Sequence, residues 1–181
     1  FGALDANTSA SNNSAFGTNA LGANETGAGN TAVGKDALLL NVGGSYNSAF
    51  GHQALDANTS ASNNSAFGRA ALSSNTTGQG NTAVGHGTAG NNTEGDHNIA
   101  IGTNSLDANT TGGSNTAVGW GALTANIIEG YNTAVGRQAL GSSTGASNTA
   151  MGYRAGNTIV AGTTGSFLVV ISAIGPDSLC E

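Results

Sequence analysis

Apolar and polar positions recur along this chain with a period of seventeen. A motif of Asn, Ser or Thr, Ala, a bulky apolar residue and Gly closes on Gly17, Gly34, Gly51, Gly68, Gly85, Gly102, Gly119 and Gly136. Gly152 follows after 16 residues, so one residue is missing near Gly145 to Asn148. The small position is Ala15, Ala32, Ala49, Ala66, Ala83, Ala100, Ala117, Ala134 and Ala150. The bulky position is Phe16, Val33, Phe50, Phe67, Val84, Ile101, Val118, Val135 and Met151. A second apolar pair follows the glycine, as in Ala20-Leu21, Ala37-Leu38, Ala54-Leu55, Ala71-Leu72, Ala122-Leu123 and Ala139-Leu140. Thr88-Ala89 weakens this pair, and Ser105-Leu106 keeps only its leucine. The whole unit reads roughly N-T-A-V-G-x-x-A-L-x-x-N-T-T-G-x-x.

No helix of ordinary length fits between these glycines. A short strand, a glycine bend and a second short strand do fit. One such unit cannot bury its apolar side alone, whereas stacked units place Val33 over Phe50 and under Phe16. The pattern therefore predicts an all-β fold, a parallel β-solenoid (β-roll) of about ten 17-residue coils. Coils about 4.8 Å apart would make a rod of about 50 Å. Glycine supplies the positive φ or close backbone approach that tight corners need. Pro176 lies outside the regular array, as expected where every coil must donate to its neighbour.

Asn13, Asn30, Asn47, Asn64, Asn81, Asn98, Asn115, Asn132 and Asn148 form a further column. An Asn at each corner bonds nearby backbone and its neighbours above and below. In Thr-Ala-Val the Ala points opposite to its flanking residues, so two apolar columns face opposite ways. A thin coil has room for one of them inside. The other is expected to be buried by homo-oligomerisation, with a trimer about a threefold axis favoured. The competing reading is a flattened monomer whose alanines fill a narrow interior.

Asn30-Thr31-Ala32-Val33-Gly34, Asn81-Thr82-Ala83-Val84-Gly85, Asn115-Thr116-Ala117-Val118-Gly119 and Asn132-Thr133-Ala134-Val135-Gly136 resemble the repeats of bacteriophage tail fibres. They are also similar to the head domains of trimeric autotransporter adhesins, whose S-x-A-I-G motif Asn98-Ile99-Ala100-Ile101-Gly102 approaches. The Asn-Thr-Thr-Gly of residues 75–78 and 109–112 strengthens the tail-fibre version. The resemblance spans about residues 3–156, at a period longer than that of the adhesin heads. It implies a left-handed roll, three chains per fibre, a role in display or attachment, and a virion tail-fibre or extracellular cell-surface location.

Composition first suggests disorder: 30 glycines, 8% charged residues and abundant small polar side chains. The period overrides that reading. A net charge of -6, with only 4 Lys plus Arg, removes the positive footprint of a nucleic-acid binder. Collagen needs a three-residue glycine period with abundant proline, and neither is present. No apolar run reaches membrane-spanning length, so no membrane insertion is expected. The chain opens on Phe1 where a complete translation product would carry Met, as a processed chain or a fragment would. The regular array is assigned to residues 1–156 and an irregular terminal coil or junction to residues 157–181. Within the latter, Ile171-Ser172-Ala173-Ile174-Gly175 reads as a degenerate return of the motif after the run Phe167-Leu168-Val169-Val170-Ile171.

Candidate chemistry is sparse. His52 and His86 lie two units apart, roughly 10 Å, too far for joint metal ligation. His97 falls in a different column. Asp5, Asp56 and Asp107 share one column at intervals of three units, too distant for paired-carboxylate catalysis. Asp36 and Glu94 lack periodic partners. No phosphate-binding G-x-x-x-x-G-K-[ST] loop and no calcium-binding nonapeptide occurs. The single Cys180 has no evident base beside it. No catalytic residue, metal site or cofactor is therefore assigned, and the chain is not expected to be an enzyme. Asn-x-Ser/Thr acceptors begin at Asn7, Asn12, Asn24, Asn58, Asn63, Asn75, Asn91 and Asn109, as the repeat composition dictates.

The favoured function is a structural fibre or stalk segment that displays an attachment tip. The alternative is a direct adhesin recognising host-surface glycans or another receptor. For it, Trp120, Tyr46, Tyr131 and Tyr153 read as isolated aromatics, with Tyr46 and Tyr131 in one register position five units apart. A lesser alternative is an ice-binding solenoid, whose cue is the column Thr31, Thr82, Thr116, Thr133 and Thr149, interrupted by Ser14, Ser48, Ser65 and Ile99.

Overall fold

The computed structural model describes residues 1–157 and the backbone of Phe167–Val169. Ten three-residue strands form one sheet: β1 Ser14–Phe16, β2 Thr31–Val33, β3 Ser48–Phe50, β4 Ser65–Phe67, β5 Thr82–Val84, β6 Ile99–Ile101, β7 Thr116–Val118, β8 Thr133–Val135, β9 Thr149–Met151 and β10 Phe167–Val169. Their order in the sheet follows the sequence, and every pairing is parallel. The molecule is therefore an all-β parallel solenoid, with one strand in each coil. Each strand is short because it is bounded by an Asn and by the motif glycine. Within it, β-branched and aromatic residues suit a pleated surface.

Register repeats the sequence motif. Ala15 faces Ala32, Ala32 faces Ala49, and so on to Ala134 and Ala150. The coil that lacks one residue leaves the sheet intact, because Thr133 still faces Thr149. The tenth strand differs from expectation. Phe167 faces Thr149 and Val169 faces Met151, so the Phe-Leu-Val run supplies it. Ile171–Gly175 lies outside the described residues, as does Cys180.

The second strand expected over each Ala-Leu pair does not form; a turn replaces it. The reason is backbone handedness. Leu21, Leu38 and Leu55 have φ of 52°, 50° and 53°, and Asn19, Asp36 and Gln53 two residues earlier have 56°, 57° and 58°. Left-handed residues at alternate positions prevent an extended run. Hydrogen bonds between coils survive all the same: Leu21 N–H donates to Ala37 O at 3.0 Å and Leu38 N–H to Ala54 O at 3.0 Å. The expectation that glycine makes the corners holds in part. At Gly102 φ is 125°, and a Cβ would sit 2.7 Å from both the carbonyl carbon and oxygen of Gly119 in the next coil. That close approach requires glycine. Several other left-handed corners are held by Leu, Asn, Gln, Tyr or Ser.

The interior belongs to a single chain. The strand alanines from Ala32 to Ala150 and the turn residues Ala20, Leu21, Ala37, Leu38, Ala54, Leu55, Ala71 and Leu72 are fully buried. Each buried leucine contributes about 1.5–3 kcal/mol of transfer free energy. Alanine at the strand centre keeps the coil thin.

Candidate functional site

Two amide columns run through the interior, and both are structural. In the first, the Asn30 backbone N–H donates to Asn13 Oδ1 at 2.9 Å, and Asn30 Nδ2 donates to Gly44 O at 2.8 Å. The pattern continues through Asn47, Asn64, Asn81 and Asn98. Sequence reasoning singled out this column and its role. The second column, Asn24, Asn41, Asn58, Asn75, Asn92, Asn109 and Asn126, was present in the repeat consensus but its role was not drawn from it. There, Asn41 Nδ2 donates to Asn24 Oδ1 at 2.7 Å and Asn58 Nδ2 to Asn41 Oδ1 at 2.7 Å. The other hydrogen of each amide goes to a carbonyl three residues on, as from Asn58 to Ala61 O at 3.0 Å. Both columns converge on that carbonyl, since Asn47 Nδ2 also reaches Ala61 O at 2.8 Å. Buried polar groups require such pairing. Four of the eight glycosylation acceptors, Asn24, Asn58, Asn75 and Asn109, are fully buried here and are closed to modification.

With alanine turned inward, the other two strand residues point outward. The column from Phe16 to Met151 lies on the surface, with Phe50 37%, Ile101 39% and Met151 49% exposed. Phe50 and Phe67 stack in adjacent coils with ring centroids 5.0 Å apart. Beside this stripe runs the Ser/Thr row, in which Ile99 is the apolar interruption and is itself exposed. A continuous apolar stripe along a soluble surface marks an interaction face.

The corner after each motif glycine carries a third surface. The residue one past the glycine is Thr18, Lys35, His52, Arg69, His86, Thr103, Trp120, Arg137 or Tyr153 in successive coils. Arg154 adjoins it, so this one edge holds all 4 Lys and Arg of the chain. Two aromatics that looked isolated in the sequence, Trp120 and Tyr153, share one guanidinium here. The Arg137 guanidinium lies 5.0 Å from the centre of the Trp120 ring and 5.9 Å from that of Tyr153. Arg154 lies 5.7 Å from the Tyr153 ring on its own side and donates from Nε to Gln138 Oε1 at 3.1 Å. A cavity of about 290 Å³ opens beside Trp120. Tyr46 and Tyr131 lie apart from this group, both exposed at a different corner.

The remaining candidates stay dispersed. Arg69 separates His52 from His86 along the ridge and sits 3.5 Å from His86 Nε2. No group of three or more metal-ligating side chains occurs among the described residues. Burial pushes the Asp56 carboxyl above its ordinary value, partly offset by backbone N–H groups, and Asp56 Oδ1 has no hydrogen-bond partner. Burial raises Asp107 likewise. Asp36 moves the other way, chiefly through the Asn19 side-chain amide at 2.9 Å, then through Lys35. No helix among the described residues is long and apolar enough to cross a membrane.

Comparison with known proteins returned no matching family model and no matching curated sequence.

Proposed function

We propose that the chain is a structural segment of an extracellular fibre, of the bacteriophage tail-fibre or adhesin-stalk kind, that displays an attachment tip and assembles as a homotrimer. The observation that carries this reading is the exposed apolar stripe from Phe16 to Met151 on a solenoid whose interior is already filled. Eight full turns separate Gly17 from Gly152, and rigid length is what a stalk contributes. The stripe is one side chain wide. Three such stripes converge about an axis, where each chain also covers its neighbour's edge. The sequence resemblance supports a tail-fibre or cell-surface location.

Light scattering at micromolar concentration tests the assembly. A mass three times 17.5 kDa is expected, and a monomer or dimer overturns the trimer. Replacing Phe50→Ser and Phe67→Ser together should dissociate the trimer while leaving the monomer folded. The ice-binding reading has weaker support, because Ser14, Ser48, Ser65 and Ile99 interrupt the threonine row. No thermal hysteresis is the expected result.

A further inference from the structure

We propose that the cavity beside Trp120 is a binding site for an acidic sugar, one carboxylate-bearing ring of a surface oligosaccharide. The inference goes beyond the stalk reading and does not rest on it. The cavity coincides with a local choice of small residues. Gly121 occupies the position held by Asn104 and Gln138 in the flanking coils, and Gly141 the position held by Thr124 and Asn157. A Cβ on Gly141 would lie 2.8 Å from Asn157 Oδ1, and one on Gly121 would lie 3.2 Å from Thr124 Oγ1. The two glycines therefore let Asn157 and Thr124 come closer than a Cβ would allow, and both line the cavity without a side chain of their own. The resulting volume of about 290 Å³ is at the small end of ligand pockets and suits one sugar ring.

The lining supplies the groups that a sugar requires. Trp120 offers an indole, 46% exposed, against which the apolar face of a pyranose packs. Arg137 holds that indole from outside the cavity, so the ring is braced before a ligand arrives. Asn104, Gln138 and Asn157 present amides and Thr124 a hydroxyl, donors and acceptors for sugar hydroxyls. Arg154 decides the charge. Its Nε is fixed by Gln138, while the ion pair among the described residues is Lys35 with Asp36 at the far end of the ridge. Among the described residues, no acidic side chain lines the cavity. In a chain of net charge -6, a guanidinium here without a carboxylate partner among the described residues selects an anion, and its two terminal nitrogens match a carboxylate fork.

Trp120 is the chain's only tryptophan, so its fluorescence reports directly on this cavity. The full chain would be titrated with a glucuronate-containing disaccharide, sialyllactose, neutral lactose and sodium acetate. Saturable perturbation by at least one acidic sugar at concentrations up to about 10 mM is expected, with lactose and acetate binding much more weakly. The two acidic probes distinguish a uronate from a sialate. Arg154→Gln should weaken acidic-sugar binding by about ten- to hundredfold, as loss of a charged hydrogen-bonding partner does. Calorimetry on Trp120→Ala should show a comparable loss. Arg154→Lys should retain part of the affinity. Unchanged light-scattering mass and melting in the variants would separate a lost site from a lost fold or a lost trimer. Equal binding of lactose, equal binding of acetate alone, no response to either acidic sugar, or an unaffected Arg154→Gln variant would each overturn the proposal.

Discussion

Two columns of the same solenoid obey opposite rules. Along the second interior amide column, Asn is repeated from Asn24 to Asn126. Along the ridge one residue past the motif glycine, no two successive coils carry the same residue between Thr18 and Tyr153. The difference is physical. Inside, each amide's partner is the amide of the next coil, so a change in one coil strands a group in two others. At the ridge, side chains meet water and touch their neighbours loosely, as Arg69 and His86 do at 3.5 Å. Constancy between coils thus marks stacking, and variation marks the places where one coil is free to acquire its own chemistry. The Trp120 cavity lies on such a ridge.

The sharpest way to break this contrast is Asn58→Ala. It removes the donor to Asn41 Oδ1 and one of two donors to Ala61 O, and leaves one of the two hydrogens of Asn75 Nδ2 without its acceptor. Stranding these buried groups should cost about 4 kcal/mol in urea unfolding. Arg69→Thr on the ridge, which installs the residue found at Thr18 and Thr103, should change stability by less than about 0.5 kcal/mol. If the two variants melted alike, the ladder would not be what fixes the interior.

A second comparison sets one glycine against another. Gly102→Ala drives a Cβ into the Gly119 carbonyl at a φ of 125° and should cost about 3 kcal/mol. Gly43→Ala meets only Thr26 Oγ1, at 3.4 Å, and should be nearly neutral. Urea midpoints of the pair measure how much of the glycine content is structural.

That distinction also shows what the sequence made legible. The period and the parallel stacking followed from spacing alone, because register in a solenoid is the repeat itself; the inward alanine belonged only to the competing reading, since spacing left open which apolar column faces in. The glycine at residue 102 and its equivalents was assigned to corners correctly. Leucine at the left-handed turn positions was not foreseen, since nothing in an Ala-Leu pair distinguishes a strand from a corner. Burial of Leu21, Leu38 and Leu55 compensates a backbone conformation that their side chains disfavour. The pairing of Trp120 and Tyr153 with the one Arg137 was hidden for another reason. The short coil between Gly136 and Gly152 takes Tyr153 off the seventeen-residue ruler that would have aligned it. The cavity was invisible too, because it depends on Gly121 and Gly141 being small beside larger neighbours two coils apart.

A smaller effect, visible only in its pH dependence, tests the column of Asp56. Burial raises the folded-state pKa of this carboxyl above its ordinary 3.8. Stability associated with such a group is present in full below the unfolded pKa and is lost as pH rises through the folded one. Asp56→Ser places there the residue found one coil on at Ser73, whose hydroxyl donates to Gly90 O at 3.3 Å. The variant should be more stable than the parent at neutral pH, and the difference should shrink as pH falls towards about 4. Urea midpoints across that range would show it; a difference that does not vary with pH would mean that Asp56 is solvated in the native chain.

A last and modest stabilisation probes the left-handed corners themselves. Ala70 has φ of 54°, in the same position of its coil as Asn19 at 56° and Asn104 at 54°. A left-handed residue with a Cβ costs about 1–2 kcal/mol, and Asn tolerates that region better than Ala. In the first coil the Asn19 amide also reaches Asp36 of the next coil at 2.9 Å. Above Ala70 the equivalent residue is Gly87, which offers no side chain. On the other side lies Gln53, so Ala70→Asn tests the backbone effect with at most one new amide contact along the column. It should raise stability by up to about 1 kcal/mol, read as a higher urea midpoint with an unchanged slope. An unchanged midpoint would show that neighbouring coils, through Ala70 N–H donating to His52 O at 2.9 Å, hold this corner so firmly that residue preference no longer matters there.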